Sequence, residues 1–124
     1  MNTTVLGKWG EELAAAYLRK QGYTIIGANY RTRFGEIDLI AKKRRTLAFV
    51  EVKLRKNAAF GEAREFVTQA KMQRLRATAE QYLSQNTEKC EPRFDVIEIY
   101  APDGIGGSYT LEHLENAFEG MSWR

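Results

Sequence analysis

The chain has 124 residues, 44% of them hydrophobic and 28% charged, which predicts one soluble globular domain over residues 1–124 and leaves too little length for two ordinary ones. It carries 19 Lys and Arg against 16 Asp and Glu, a formal net charge of +3, so a polyanionic partner fits better than a polycationic one. The absence of a long apolar run and of a basic-then-apolar leader, with Cys90 as the single cysteine, argues against a membrane span, an export signal or an internal disulfide; the expected compartment is the cytoplasm.

In chain order, Val5, Leu6, Trp9, Leu13, Ala16 and Tyr17 recur at three- and four-residue spacing between Thr3-Thr4 and Gly22, which predicts a capped helix with a glycine stop. Gly7, Glu11, Ala14 and Leu18 form a second row whose small residues permit close packing. Glu11 reads either as an exposed charge favoured by the helix dipole or as a carboxylate aimed into a site, and pattern alone favours the first. Residues 23–31 follow as a strand weakened by Gly27, which marks a bulge or a close backbone approach.

The next stretch holds the chemistry. Gly35-Glu36-Ile37-Asp38-Leu39-Ile40-Ala41 and Leu47-Ala48-Phe49-Val50-Glu51-Val52-Lys53 are joined by Lys42-Lys43-Arg44-Arg45-Thr46, and together they predict an antiparallel hairpin. Alternation turns Glu51 and Lys53 to one face and Ala48, Val50 and Val52 to the other; Asp38, with Ile37 and Leu39 facing away from it, joins Glu51 if the register allows. Charge is expensive inside an apolar strand, and crowded carboxylates repel unless something positive lies between them. A Mg²⁺-type site built from one or two carboxylates plus substrate phosphates meets that need, with Lys53 available to orient a water or offset charge at phosphorus. A purely structural ion-pair cluster of Asp38, Lys53 and Glu51 is the competing reading. For Lys42 to Arg45, a solvated hairpin tip and phosphate contact stand side by side.

Residues 57–65 read as a loop, and Thr68 as the N-cap of a second helix running to Gln85 with Met72, Leu75, Ala79, Tyr82 and Leu83 buried. Lys71 flanks that stripe and Arg74 points away from it, so either could reach a phosphate. After a loop holding Cys90, Phe94 to Tyr100 reads as a strand covered on both faces, Pro102 to Gly107 as turns, Tyr109 to Leu114 as a short last strand, and the residues from Asn116 as a tail. With His113 the only histidine, His-based triads and His/Cys zinc sites are disfavoured and His113 reads as structural; Cys90 lacks a nearby histidine partner, and no phosphate-cradling glycine loop occurs.

The order Gly7-x-x-x-Glu11, Gly35-Glu-Ile-Asp-Leu-Ile40, Phe49-Val-Glu-Val-Lys-x-Arg55, Lys71 opening a helix and Arg93-Phe-Asp-Val96 resembles the YraN-like family, from about Leu6 to Phe118. That family is related to archaeal Holliday-junction resolvases and the restriction-endonuclease-like PD-(D/E)xK superfamily. The resemblance implies an α/β fold with a central mixed sheet flanked by helices, in the order α-β-β-β-α-β-β. It implies Asp38, Glu51 and the Val52 carbonyl as ligands of Mg²⁺ or Mn²⁺, Lys53 as the catalytic lysine, and Glu11 completing the acidic cluster. The superfamily's proline is replaced by Ile37, a position at which resolvases also vary. The activity implied is cleavage of DNA, branched or damaged, with Arg31, Arg33, Arg55, Lys71 and Arg74 holding the backbone, and a homodimer is compatible because resolvases act as dimers. A non-catalytic nucleic-acid-binding or adaptor protein that keeps the nuclease fold is the alternative.

Overall fold

The computed structural model describes residues 5–56, 68–86 and 89–118. They form α1 (Val5–Lys20), β1 (Thr24–Thr32), β2 (Gly35–Lys43), β3 (Thr46–Arg55), α2 (Gln69–Gln85), β4 (Glu91–Tyr100) and β5 (Thr110–Leu114). One five-stranded sheet has the order β1-β2-β3-β4-β5, with β3 and β4 parallel and the other neighbours antiparallel. Parallel neighbours need a long crossover, and α2 supplies it. The expected fold class is the one observed: an α/β mixed sheet with two helices, in the order α-β-β-β-α-β-β, consistent with a restriction-endonuclease-like fold. Among the described residues no helix is long and apolar enough to cross a membrane.

Alternating side chains sort into two cores. On one face α1 buries Ala14 and Leu18 against Leu39, Ala41, Ala48, Val50, Ile97 and Ile99; on the other α2 buries Leu75 and Ala79 against Ile40, Leu47, Phe49, Phe94 and Val96. β4 is therefore covered on both faces, as its sequence predicts. Gly27 sits where the β1–β2 register shifts, the expected bulge.

Three expectations are corrected. The inner row of α1 is Gly10, Ala14, Ala15 and Leu18, while Ala16 and Val5 are exposed, because the helix lies close enough that a Cβ on Gly10 would sit 3.5 Å from Leu54. The residues after Asn116 do not begin a tail: the Ala117 N–H donates to the Phe94 carbonyl at 2.8 Å, and Ala117 and Phe118 are buried in the α2-side core. Ile37 and Leu39, two positions apart, belong to opposite cores, so β2 turns over at Asp38 rather than keeping one alternation. The expected Thr3-Thr4 cap, the loop at 57–65 and the end of the chain from 119 lie outside the described residues.

Candidate functional site

That turnover builds the site. The β2–β3 ladder runs from Lys43 opposite Thr46 to Leu39 opposite Val50, and there the strands part. The Asp38 carboxylate fills the split, its Oδ2 accepting the Val52 N–H at 2.8 Å. Burial pushes the Asp38 carboxyl up to about 7; the Val52 hydrogen bond opposes this, and the charges of Glu11, Glu51 and Glu36 add to it. Asp38 thus feels the charge of acids on both sides of the sheet.

Glu51 and Lys53 share the α2 side of β3, as alternation predicts. Glu51 Oε2 takes the Lys53 ammonium at 3.1 Å and the Lys71 ammonium at 2.8 Å, so two cations load one oxygen. The other oxygen, Oε1, is buried with no hydrogen-bond partner among the described residues. A buried oxygen left unpaired is costly unless a cation or donor meets it, roughly 1–3 kcal/mol for a neutral group and more for a charged one. Burial pulls Lys71 down, but the Glu51 hydrogen bond and charge and the Asp38 charge outweigh it and hold Lys71 above the usual lysine value. Sequence pattern marks Lys71 only as a flanking cation; only the folded structure, with the first turn of α2 reaching Glu51, reveals its acidic partner.

Glu11 reaches the site from α1. Its carboxylate accepts two hydrogen bonds from the Asn29 amide, at 3.2 and 3.4 Å. Asn29 lies between the paired positions Ala28–Leu39 and Tyr30–Ile37, hence across from Asp38, and has a left-handed φ of 51°, which asparagine tolerates better than most residues. Asn29 carries no sequence motif, and its position emerges only from the strand register. No group of three or more His, Cys, Asp or Glu side chains converges at metal-binding closeness among the described residues. A hard divalent ion at this place would have two side-chain carboxylates at most within reach, Asp38 and Glu51, and would need the Val52 carbonyl and water or phosphate oxygens to complete its shell, with Glu11 contributing through its charge.

The other cations divide. Arg33 stacks its guanidinium 5.0 Å from the Phe34 ring in the β1–β2 turn, and exposed Arg74 lies beside Gly35 at the start of β2, so both stand at the end of β2 nearer to Asp38. Arg31 lies 3.6 Å from Glu36 and Arg55 donates to Glu98 at 3.1 Å, so each shares its charge with an acid of a neighbouring strand. The basic tip is at the opposite end of the hairpin, with Arg45 3.9 Å from Glu91 and the Lys43 ammonium 5.4 Å from the Tyr23 ring centroid.

A second polar cluster joins β4, β5 and the end of α1. Asp95, fully buried, accepts Arg93 Nε and Nη2 at 2.8 Å each, meets His113 Nε2 at 2.8 Å and accepts the Asn116 N–H at 3.1 Å. Arg93 also donates to the Tyr23 hydroxyl, and His113 Nδ1 lies 3.2 Å from the Tyr17 hydroxyl. Burial pushes the Asp95 carboxyl up, but His113, Arg93 and the Asn116 N–H together hold it below its usual value. Every strong partner is satisfied within the fold, which agrees with the structural reading of His113.

A five-stranded mixed sheet flanked by two helices, in the order α-β-β-β-α-β-β, places the chain among α/β proteins and is consistent with a restriction-endonuclease-like fold. Residues 10–99 match the uncharacterised protein family UPF0102, and the chain belongs to that family. It is 45% identical over 115 residues to a UPF0102 protein of Syntrophomonas wolfei, covering 91% of this chain and 96% of that one. A UPF0102 protein of Alkaliphilus oremlandii is 45% identical over 116 residues, 91% of this chain and 97% of that one. One of Syntrophotalea carbinolica is 40% identical over 119 residues, 95% and 94% respectively. The YraN-like resemblance read from the motifs is this same family.

Proposed function

We propose that the chain is a divalent-metal-dependent endonuclease that cleaves phosphodiester bonds in DNA, with branched or repair-intermediate DNA as its substrate class. The observation that carries the reading is Glu51 Oε1, a buried carboxylate oxygen without a donor among the described residues, in the same cluster as a carboxyl that burial and three neighbouring acids make reluctant to ionise. In a purely structural ion-pair cluster both oxygens of Glu51 would be expected to find partners. Asp38, Glu51 and the Val52 carbonyl, supported by Glu11, would hold Mg²⁺ or Mn²⁺, which when bound supplies charge stabilisation at phosphorus and an acidified water.

The chain's own groups do the rest. Lys53 has three N–H donors and gives one direction to Glu51, which leaves donors to orient an attacking water and to offset charge growing on a phosphate oxygen. The Val52 N–H fixes the rotation of the Asp38 carboxylate. Arg33 and Arg74 on the margin, with Arg31 beyond them, would hold the phosphate backbone and give salt-sensitive, largely sequence-independent binding.

A cleavage screen over single-stranded, duplex, flapped and four-way DNA with Mg²⁺ and Mn²⁺ tests the reading. Asp38→Asn keeps an oxygen for the Val52 N–H while removing the charge, so it should fold, bind DNA and lose cleavage by roughly 100-fold or more; Lys53→Ala should do likewise. Cleavage that persists in Asp38→Asn sinks the assignment. Absence of both cleavage and Mn²⁺ uptake in the wild type favours the adaptor.

A further inference from the structure

We infer that Lys71 is the cation that occupies Glu51 in the metal-free protein and is handed to a substrate phosphate when a divalent ion takes its place, so that metal and DNA bind cooperatively. The inference rests on the metal-site reading above and adds a route by which occupancy of that site controls the grip on DNA.

Charge counting leads to it. Even with both Asp38 and Glu51 ionised, Lys53 and Lys71 already match their two negative charges, and a protonated Asp38 leaves the lysines in excess. A divalent ion added to those four groups leaves an excess of two positive charges, which Glu11 lowers to one and Glu36, its charge shared with Arg31, lowers further. Something must move or an anion must arrive. Lys53 is on β3, two residues from Glu51 within a paired strand, and its backbone is fixed by the ladder to β4. Lys71 stands instead in the opening turn of a helix, with its side chain 31% exposed. Its backbone N–H is held by the Thr68 hydroxyl, so the side chain can pivot without unwinding the helix. Outward rotation takes the ammonium from Glu51 toward solvent, on the face where exposed Arg74 lies one turn further along α2. A phosphodiester there meets both.

By linkage, if the metal releases Lys71 for DNA, DNA must raise the affinity for metal by the same factor. Lys71→Met, of similar length and uncharged, removes the competitor, and Lys71→Arg retains the charge. Calorimetry with Mn²⁺ and no DNA should show the Lys71→Met variant binding the ion roughly tenfold tighter than wild type, the order of a single-charge repulsion screened by water, and Lys71→Arg close to wild type. For a labelled duplex, adding Ca²⁺ should steepen the salt dependence of wild-type binding by about 0.9 more than it does for Lys71→Met, the equivalent of one neutralised phosphate. Mn²⁺ affinity that is equal or weaker in a folded Lys71→Met, or identical Ca²⁺ effects on the two salt slopes, overturns this inference and leaves the metal site standing. No Mn²⁺ uptake by the wild type overturns both. Should Lys71→Met fail to melt cooperatively, Lys71→Gln carries the same comparison.

Discussion

Asp38 and Asp95 are two acids on neighbouring parts of one sheet, and their surroundings drive them in opposite directions. Asp38 has one backbone donor and three acids around it, and burial lifts it to about 7. Asp95 has no exposure to solvent, yet an arginine, a histidine and an N–H converge on it and hold it low. The first arrangement costs stability unless a positive charge meets it; the second strengthens the fold. Asp95→Asn should therefore destabilise by about 3 kcal/mol, the low end for breaking a buried pair because Arg93 keeps some exposure. A carboxyl depressed in the fold binds its proton more readily when unfolded, so its contribution is complete above about pH 4 and is lost as pH falls through the lower folded value. Thermal melts of wild type and Asp95→Asn should differ widely near neutrality and converge in acid; a constant gap across that range counts against the assignment. Asp38, Glu51 and Lys53 are legible in the sequence because charge within an apolar strand stands out. The Asp95 cluster is legible only as the Arg93-Phe-Asp-Val96 motif, since Tyr23, His113 and Asn116 come from other segments and each alone looks ordinary.

Elements whose signal is local can be read from the chain. The hairpin follows from two apolar runs and a basic connection, and α2 from its threonine cap and periodic stripe. The inner face of α1 escapes such a reading because hydrophobicity draws attention to Trp9 and Leu13, whereas close approach to β3 selects Gly10 and alanines. The cap of α2 ties an element to the site. The Thr68 hydroxyl accepts the Lys71 N–H at 3.1 Å, and the same residue's side chain is on Glu51 at 2.8 Å. Thr68→Ala should cost about 1 kcal/mol and loosen the first turn. Amide exchange at Lys71 should then speed up while exchange at Ala79, deep in the helix, changes far less. Equal acceleration at both would mean the cap governs the whole helix rather than its first turn.

At the scale of the molecule, the parallel pairing of β3 and β4 is implied by resemblance to a family and not by periodicity, because alternation says which face a residue takes but not which strand lies beside it. The same topology decides a question the composition leaves open. From Thr46 to Glu51 is five residues along one strand, roughly 17 Å at strand rise, so the basic tip and the acidic split occupy opposite ends of the hairpin. Arg45 and Lys43 there are turned toward Glu91 and Tyr23, on the body of the protein. A DNA backbone lying across Asp38 and Glu51 would meet Arg33 and Arg74 before it met the tip, and charges farther apart than a Debye length of about 8–10 Å contribute little at physiological salt. Replacing Lys43, Arg44 and Arg45 together by glutamine should leave DNA affinity within about twofold and the salt slope unchanged, whereas Arg33→Gln with Arg74→Gln should lower the slope by roughly 0.9 for each phosphate no longer neutralised. If the tip variant instead loses the steeper share of the slope, the duplex runs the length of the hairpin, and the acidic split is one end of a longer binding track.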